Sequence, residues 1–354
     1  MKLFSRAGAN GRTIIDVIIG CGVIGEALCR SIPLIRDSTV VSAESIVTDW
    51  SARDRLKAAL DGAEAWIETI ETASGTLEKV RVFWCAGRAG FAASESQTSA
   101  EYDSFCSALA WCEHLLPRRR IEFHMTSSAG GLHEGQVLVR DRTRITTDRP
   151  YTRLKVAQER ALAASPLPSR YIYRPSSVYG VPRAGQRLGF LPTMIKNALS
   201  HRPTVIFATA STQRDFVAAS DVGSFMALER EPTERGLETP LYLVQGCPMS
   251  LWTLQLTLER HLQRRVLVTF TTSKDNFAST TFSPQLRPKG FRPATLECHL
   301  ARMVAAVQGH RGAVLRRGAS VPNSAWPERP ARADAGSYRS PADRTPGDSS
   351  VPGR

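Results

Sequence analysis

Residues 13–32 read TIIDVIIGCGVIGEALCRSI. The run Thr13 to Ile19 is β-branched and almost continuously apolar, the pattern of a parallel strand buried on both faces. It leads straight into Gly20-Cys21-Gly22-Val23-Ile24-Gly25, and the EALCRSI that follows has helical character. Strand, glycine turn and helix open a βαβ unit. In such a turn the first glycine permits the tight reversal, the second lets the backbone approach a pyrophosphate, and the third lets the helix pack closely on the strand. A pyrophosphate would then rest on the free N–H groups of the helix N-terminus. A loop without a ligand is the competing reading of the same glycines.

The alternation continues outward from this unit. TVVSAESIV (39–47) is a second extended run, and a helix is expected from Ser51 to about Thr72 with Leu56, Ala59, Leu60, Ala63 and Ile67 on one stripe. VRVFWCAG (80–87) reads as a buried strand ending in the small residues Ala86 and Gly87. A helix near Glu101 to Leu116, a strand at IEFHMTSS (121–128), a helix holding Tyr151 and Lys155, and a strand at SRYIYRPS (169–176) complete the series. This order predicts an α/β fold with a Rossmann-like doubly wound parallel sheet. Between Gly25 and Ala86 only one clear helix follows one extended run, where two strands and two helices are usual, so the second crossover is expected to be shortened.

After Val178 the elements are shorter: TVIFA (204–208), LYLVQG (241–246), a helix from Ser250 to His261 and a last helix from Ala294 to Val307. The expected organisation is a dinucleotide-binding domain over 1–175 and, over 176–308, a smaller C-terminal α/β substrate domain with some segments returning to the first sheet. Residues 309–354 are rich in Pro, Gly, Ser and Arg with little to bury, so disorder is their default.

With 42% hydrophobic and 22% charged residues, the 354-residue composition is that of a globular protein in water. The net charge of +13 is partly local, since residues 311–354 hold eight arginines against four acidic residues. The run Arg118, Arg119, Arg120 has no interleaved aromatics, so it is read as a solvated face and no nucleic-acid partner is expected. Seven cysteines, odd in number and without a CxxC pair, fit buried free thiols in a reducing cytoplasm, and no metal is expected. The N-terminal apolar run is short and interrupted by Asp16, so neither a signal peptide nor a membrane anchor is read.

A helix puts residues four apart on one face, so Tyr151 and Lys155 in PYTRLKVAQER can address one ligand. A phenol of pKa about 10 is a poor base at neutral pH, but a nearby ammonium and a nicotinamide cation both favour the phenolate. Tyr151 could then exchange a proton with a substrate hydroxyl while hydride moves to or from the cofactor, and Lys155 could also hold the nicotinamide ribose. Upstream, a strand ends in Thr126-Ser127-Ser128 at the sheet edge where ligands bind in such folds. An acid at the end of the second strand would bond the adenosine ribose, and Glu44 is the candidate with Asp49 its rival. No arginine directly follows that strand to receive a 2′-phosphate, which favours NAD and leaves NADP open.

With these features in this order the chain resembles the extended short-chain dehydrogenase/reductase family, in its NAD-dependent sugar epimerase/dehydratase branch. RPSSVYG (174–180), QRDFVAASDVG (213–223) and GFRPATLECHLARM (290–303) are similar to further segments of that branch. The resemblance covers roughly 13–307. It implies Ser128 as hydroxyl partner, Tyr151 as acid/base and Lys155 as its electrostatic support. It also implies cofactor contacts from Gly20, Gly22, Val23, Ile24, Gly25, Glu44, Ala86, Gly87, Tyr151, Lys155, Pro175 and Ser177. Arg214 would contact the diphosphate of a nucleotide sugar, for which a guanidinium is suited by its bidentate geometry. An ion pair of Arg214 with Asp215 or Asp221 is the competing reading.

Three departures narrow the expectation. Ile19 stands where the family usually has the first glycine of GxxGxxG. Ala129 and Gly130 follow Ser128 where dehydratases of this branch place an Asp-Glu pair, which disfavours 4,6-dehydration; His133 and Glu134 nearby are read as solvated loop residues. The segment TTSKDNF offers only Lys274 as a second phosphate-binding cation. The resulting expectation is a cytoplasmic, homodimeric NAD-dependent epimerase or oxidoreductase of a nucleotide-linked sugar. The alternatives are an NADP-dependent carbonyl reductase with a non-nucleotide substrate and a non-catalytic dinucleotide-binding sensor or scaffold.

Overall fold

The chain begins with a strand that its apolar runs do not announce, Lys2–Ala7 (β1), which turns back into Thr13–Ile19 (β2). A computed structural model of the protein describes residues 1–8, 10–181, 188–229, 239–271 and 278–316. Helix Val23–Ser31 (α1) follows the glycine turn, then Thr39–Ser45 (β3), Arg53–Ser74 (α2), Leu77–Trp84 (β4), Glu95–Leu115 (α3) and Ile121–Thr126 (β5). A single turn Ala129–Leu132 (α4) precedes Pro150–Ala164 (α5), Ser169–Pro175 (β6) and Ser177–Tyr179 (β7). The later elements are Phe190–Leu199 (α6), Thr204–Phe207 (β8), Gln213–Arg214 (β9), Phe216–Ala218 (β10) and Ala219–Ala227 (α7). They end with Leu241–Leu243 (β11), Met249–Ser250 (β12), Leu251–Leu262 (α8), Val268–Thr271 (β13) and Leu296–Arg316 (α9).

Among the described residues the main sheet has the order β11-β6-β5-β4-β2-β1-β3. The β2, β4, β5, β6 and β11 neighbours are parallel, whereas β1 runs antiparallel to both β2 and β3. The fold is therefore α/β and Rossmann-like, but its sheet is mixed rather than wholly parallel. This also accounts for the short stretch between Gly25 and Ala86. No second crossover is needed there, because the N-terminal strand fills the place between β2 and β3.

A buried carboxylate holds the inserted strand. Asp16 on β2 stands directly opposite Arg81 of β4 and diagonal to Arg6 of β1, which itself faces Ile14. Arg81 Nε donates to Asp16 Oδ1 at 2.5 Å and Arg6 Nε to Asp16 Oδ2 at 2.8 Å, all three side chains being fully buried. Burial alone would raise the Asp16 pKa, but the charges and hydrogen bonds of Arg81 and Arg6 outweigh it and hold the carboxyl below its ordinary value. Arg81 goes on to the Ala227 carbonyl at the end of α7, and Arg6 to Ser38 and Glu229. An apolar-looking strand thus carries an ion triad that ties three strands to a crossover helix.

Helices cover both faces. On one side α2 and α3 pack Leu56, Ile67 and Phe105 against Trp84 and Phe123, and the expected α2 stripe is buried throughout. On the other, α1 and α7 pack Leu28 and Val222 against Ile18 and Phe83. A third cluster, with Met194, Ile206, Leu254 and Leu300, joins α6, β8, α8 and α9 into the smaller C-terminal layer. The final helix passes Val307 and ends at Arg316. Arg119 is not part of a solvated face: it is buried and pairs with Glu71 at 2.9 Å. None of the seven cysteines forms a disulfide; Cys112 is fully buried, Cys21, Cys29, Cys85 and Cys106 are half-buried, and Cys247 and Cys298 are exposed. Among the described residues no helix is long and apolar enough to cross a membrane.

Asp16→Asn strands two buried guanidiniums with half of their compensation, and is expected to lower the unfolding free energy by about 3–5 kcal/mol in urea denaturation at neutral pH. Because the native pKa is depressed, the contribution of Asp16 is present above its unfolded value of 3.8 and lost as pH falls through the native one. The variant should accordingly show a flatter acid limb of stability than the parent.

Candidate active site

The site lies at the C-terminal ends of the parallel strands, where each strand hands its chain to a turn. Gly20 has φ +90°, a conformation in which a Cβ would stand 2.3 Å from both Cα and N of Ala86. Only glycine lets β2 and β4 end this close, with the Cys85 N–H donating to Ile19 O at 2.8 Å. Gly25 lies equally close to the turn, since its Cβ would meet the Gly20 carbonyl oxygen at 2.1 Å. Between them Gly22 is the N-cap of α1, makes no side-chain cap, and has open space around its missing side chain. The first-turn N–H groups of α1 are thus left for a ligand, and the turn fits the pyrophosphate of a dinucleotide.

Glu44 is not brought to this turn. It pairs with Leu3 of β1, and Leu3 in turn pairs with Val17 of β2, which puts Glu44 two strands, about 10 Å, from the glycine strand. The inserted antiparallel strand is the reason. The rival acid Asp49 is tied to the loop after β4, because its carboxylate accepts from Arg88 Nη2 at 3.1 Å. Hydrogen bonds from the Ser51 hydroxyl and N–H hold Asp49 below the ordinary carboxylate range, and the Arg88 charge adds to them.

A cavity of about 390 Å³ opens beside the turn, lined by Ile24, Ala86, Gly87, Ser128, Tyr151, Lys155, Pro175, Ser177 and Arg214 among others. Pro150 in the first turn of α5 sets Tyr151 at the mouth of the helix, one turn before Lys155. Lys155 Nζ lies 5.8 Å from the Tyr151 ring centroid. Ser128 is the N-cap of α4 and its Oγ accepts from the Gly131 N–H at 3.0 Å. A Cβ on Gly131 would be 2.8 Å from Tyr151 Cε1 and 3.2 Å from Ser128 Oγ, so phenol and hydroxyl flank the same point. Ser128, Tyr151 and Lys155 therefore share one wall.

Behind that wall runs a polar chain. Ser127 Oγ donates to Glu159 Oε1 at 2.5 Å, Arg174 holds Glu159 through two nitrogens, and Arg174 Nη1 reaches the Tyr242 hydroxyl at 2.6 Å. His133 continues it, with Nε2 2.9 Å from the Tyr242 oxygen. His133 is fully buried rather than solvated, and that burial lowers its pKa and keeps the imidazole neutral. Glu134 is not a free loop residue either: it lines the cavity and takes two bonds from Arg149, at 2.6 and 2.8 Å. Glu159 was legible in principle, four residues after Lys155 on the same helix; His133 and Glu134 had no periodic signal.

Arg214 lines the cavity, donating to the carbonyls of Gln213 and Ala278, and burial lowers its pKa. Asp215 is engaged by Ser176 Oγ at 2.5 Å and by the N–H groups of Gln245 and Gly246. Asp221 accepts from the Ala294 N–H at 2.8 Å. Val23 opens α1 beside Ile24. Lys274 lies outside the described residues.

A family model described as the NAD dependent epimerase/dehydratase family matches residues 17–238. Among solved structures, MoeE5 in complex with UDP-glucose and NAD is similar at 20% identity and a TM-score of 0.63, covering 84% of this chain and 98% of that one. The UDP-glucose 4-epimerase of Thermus thermophilus in complex with NAD has 16% identity and a TM-score of 0.63, covering 85% and 99%. The UDP-glucose 4-epimerase of Thermotoga maritima with UDP-glucose has 16% identity and a TM-score of 0.61, with the same coverage. At these identities the likeness is one of fold. A comparison with curated proteins finds no match.

Gly22→Val is expected to leave the melting temperature within a few degrees of the parent, since nothing stands within 4 Å of a Cβ there and its φ is −76°. If a pyrophosphate approaches this backbone, the same change should weaken NAD binding by about tenfold or more in calorimetric titration.

Proposed function

The chain belongs to the NAD dependent epimerase/dehydratase family, and on that premise we propose that it is an epimerase or oxidoreductase of nucleotide-linked sugars working through Ser128, Tyr151 and Lys155. The observation that carries this reading is the meeting of these three side chains on one wall of the cavity beside the glycine turn. The Gly20–Gly25 turn with Ala86 and Gly87 would hold NAD, which supplies the hydride acceptor and, in an epimerisation, returns the hydride. Ser128 Oγ already accepts the Gly131 N–H, so its own proton is available to the substrate oxygen. Tyr151, with the Lys155 ammonium beside its ring, takes the proton of the sugar hydroxyl and later gives it back. Arg214, which also lines the cavity, suits a diphosphate.

The wall after Ser128 argues against 4,6-dehydration. That reaction needs an acid to protonate a leaving hydroxyl and a base beside the keto group, and Ala129 and Gly130 supply neither. Glu134, the nearby carboxylate in the cavity lining, is committed to Arg149.

Purified protein incubated with UDP-sugars and NAD should yield epimerised or oxidised product, followed by NMR of the sugar. Tyr151→Phe should lower turnover by about 10²–10⁴-fold without loss of NAD binding. Unchanged turnover in that variant would sink the mechanism, and turnover with NADPH on a carbonyl compound lacking a nucleotide would select a reductase instead.

A further inference from the structure

Glu101 is a carboxylate that the proton transfer described above does not use, although it sits within the same machinery. It lies on α3 with only 3% exposure. Its Oε2 accepts the backbone N–H groups of both Arg88 and Ala89 at 3.0 Å, and its Oε1 lies 3.4 Å from Lys155 Nζ. A Cβ on Gly87 would be 3.3 Å from the same Oε1, so the loop lies directly against the carboxylate. Lys155 is itself buried and also donates to Gln158 Oε1 at 3.0 Å. An ammonium has three donors; two are directed to Glu101 and Gln158, and one remains.

Gly87, Ala89 and Lys155 all line the cavity. One carboxylate therefore clasps the loop on the cofactor side and the lysine on the catalytic side. Taking a carboxylate out of water is costly unless hydrogen bonds and an opposite charge replace the water, and here two amides and an ammonium do so. We propose that Glu101 is a positioning residue of the reaction: it fixes Lys155 and the Gly87–Ala89 loop in one arrangement and sets how much of the lysine's positive charge reaches Tyr151.

This rests on Tyr151 and Lys155 being the acid/base couple. The other groups around them do not take over the part of Glu101. The Cys85 thiol at the end of β4 is pushed up to about 12 by burial and stays neutral. Glu134, which also lines the cavity, is engaged by Arg149. Glu159 is held by Ser127 and Arg174, the Arg88 guanidinium turns to Asp49 and Ser51, and Arg214 is a cation in the same cavity. The sign follows: Glu101 offsets part of the ammonium charge, so neutralising Glu101 increases the positive charge that faces the Tyr151 ring.

The test uses three variants of the full chain. Glu101→Gln keeps an acceptor for the loop amides, Glu101→Met replaces the carboxylate by an apolar side chain of similar size, and Glu101→Asp keeps the charge. In cofactor-free protein carrying 13C-labelled tyrosine, with the Tyr151 signal assigned by Tyr151→Phe, the phenolate signal should emerge about half a unit to one unit lower in pH in the two neutral variants than in the parent or Glu101→Asp. The acid limb of the kcat/KM profile should move the same way. Glu101→Met, which releases both amides, should also bind NAD about tenfold more weakly. If Gln does not fold, Met carries the same comparison. Coincident titrations in parent, Asp and neutral variants, or equal shifts in all three, would overturn the proposal. The titration needs no substrate, so failure of the sugar-nucleotide reading shows separately, as absent turnover in the parent chain.

Discussion

Asp16, fully buried between two guanidiniums, is the interaction on which the arrangement of the sheet depends. A charge cannot be left alone in the core of a parallel sheet, so Arg81 across one ladder and Arg6 across the other must both be present. Satisfying them fixes the N-terminal strand between β2 and β3, in the place that a crossover would otherwise fill. Arg81 then reaches the last carbonyl of α7, so the same triad links the strand that carries the glycine turn to the helix that packs on α1.

The cavity repeats this physics at its own walls. Two buried ion pairs adjoin the wall of Tyr151 and Ser128: Lys155 with Glu101, beside the Tyr151 ring, and Arg174 with Glu159, which accepts from Ser127. Both pairs are completed by hydrogen bonds to backbone or hydroxyl groups, which is the condition under which buried charges hold geometry rather than distort it. A phenol placed by helix α5 alone would have rotational freedom; packed against Gly131 and Phe91 it has little. The absence of a side chain at Gly131 is thus part of the same positioning.

Much of this was legible in the chain. The strand TIIDVII, the glycines after it, the α2 stripe and the four-residue spacing of Tyr151 and Lys155 are all local patterns, and each appears in the structure where its period placed it. The start of α3 was not read: the capping box of Ser94 and Gln97 opens the helix at Glu95, six residues before the expected Glu101, although S-x-x-Q is a local signal. KLFSRA was harder: a six-residue strand with a lysine and an arginine in it has no distinguishing period, and its place depends on Asp16, whose other partner Arg81 lies 65 positions further along the chain.

Sequence alone determined the alternation of strands and helices, the glycine turn, and the residue types that reach the sheet edge, because these follow from backbone sterics and from periods of two and 3.6 residues. Only the tertiary structure decided that β1 runs antiparallel, that Glu44 stands two strands from the turn, that Arg119 and His133 are buried, and that Glu101 meets Lys155. Those outcomes rest on register and on charge pairing between residues far apart in the chain, 65 positions for Asp16 with Arg81 and 223 for Arg6 with Glu229, and no local period carries that information.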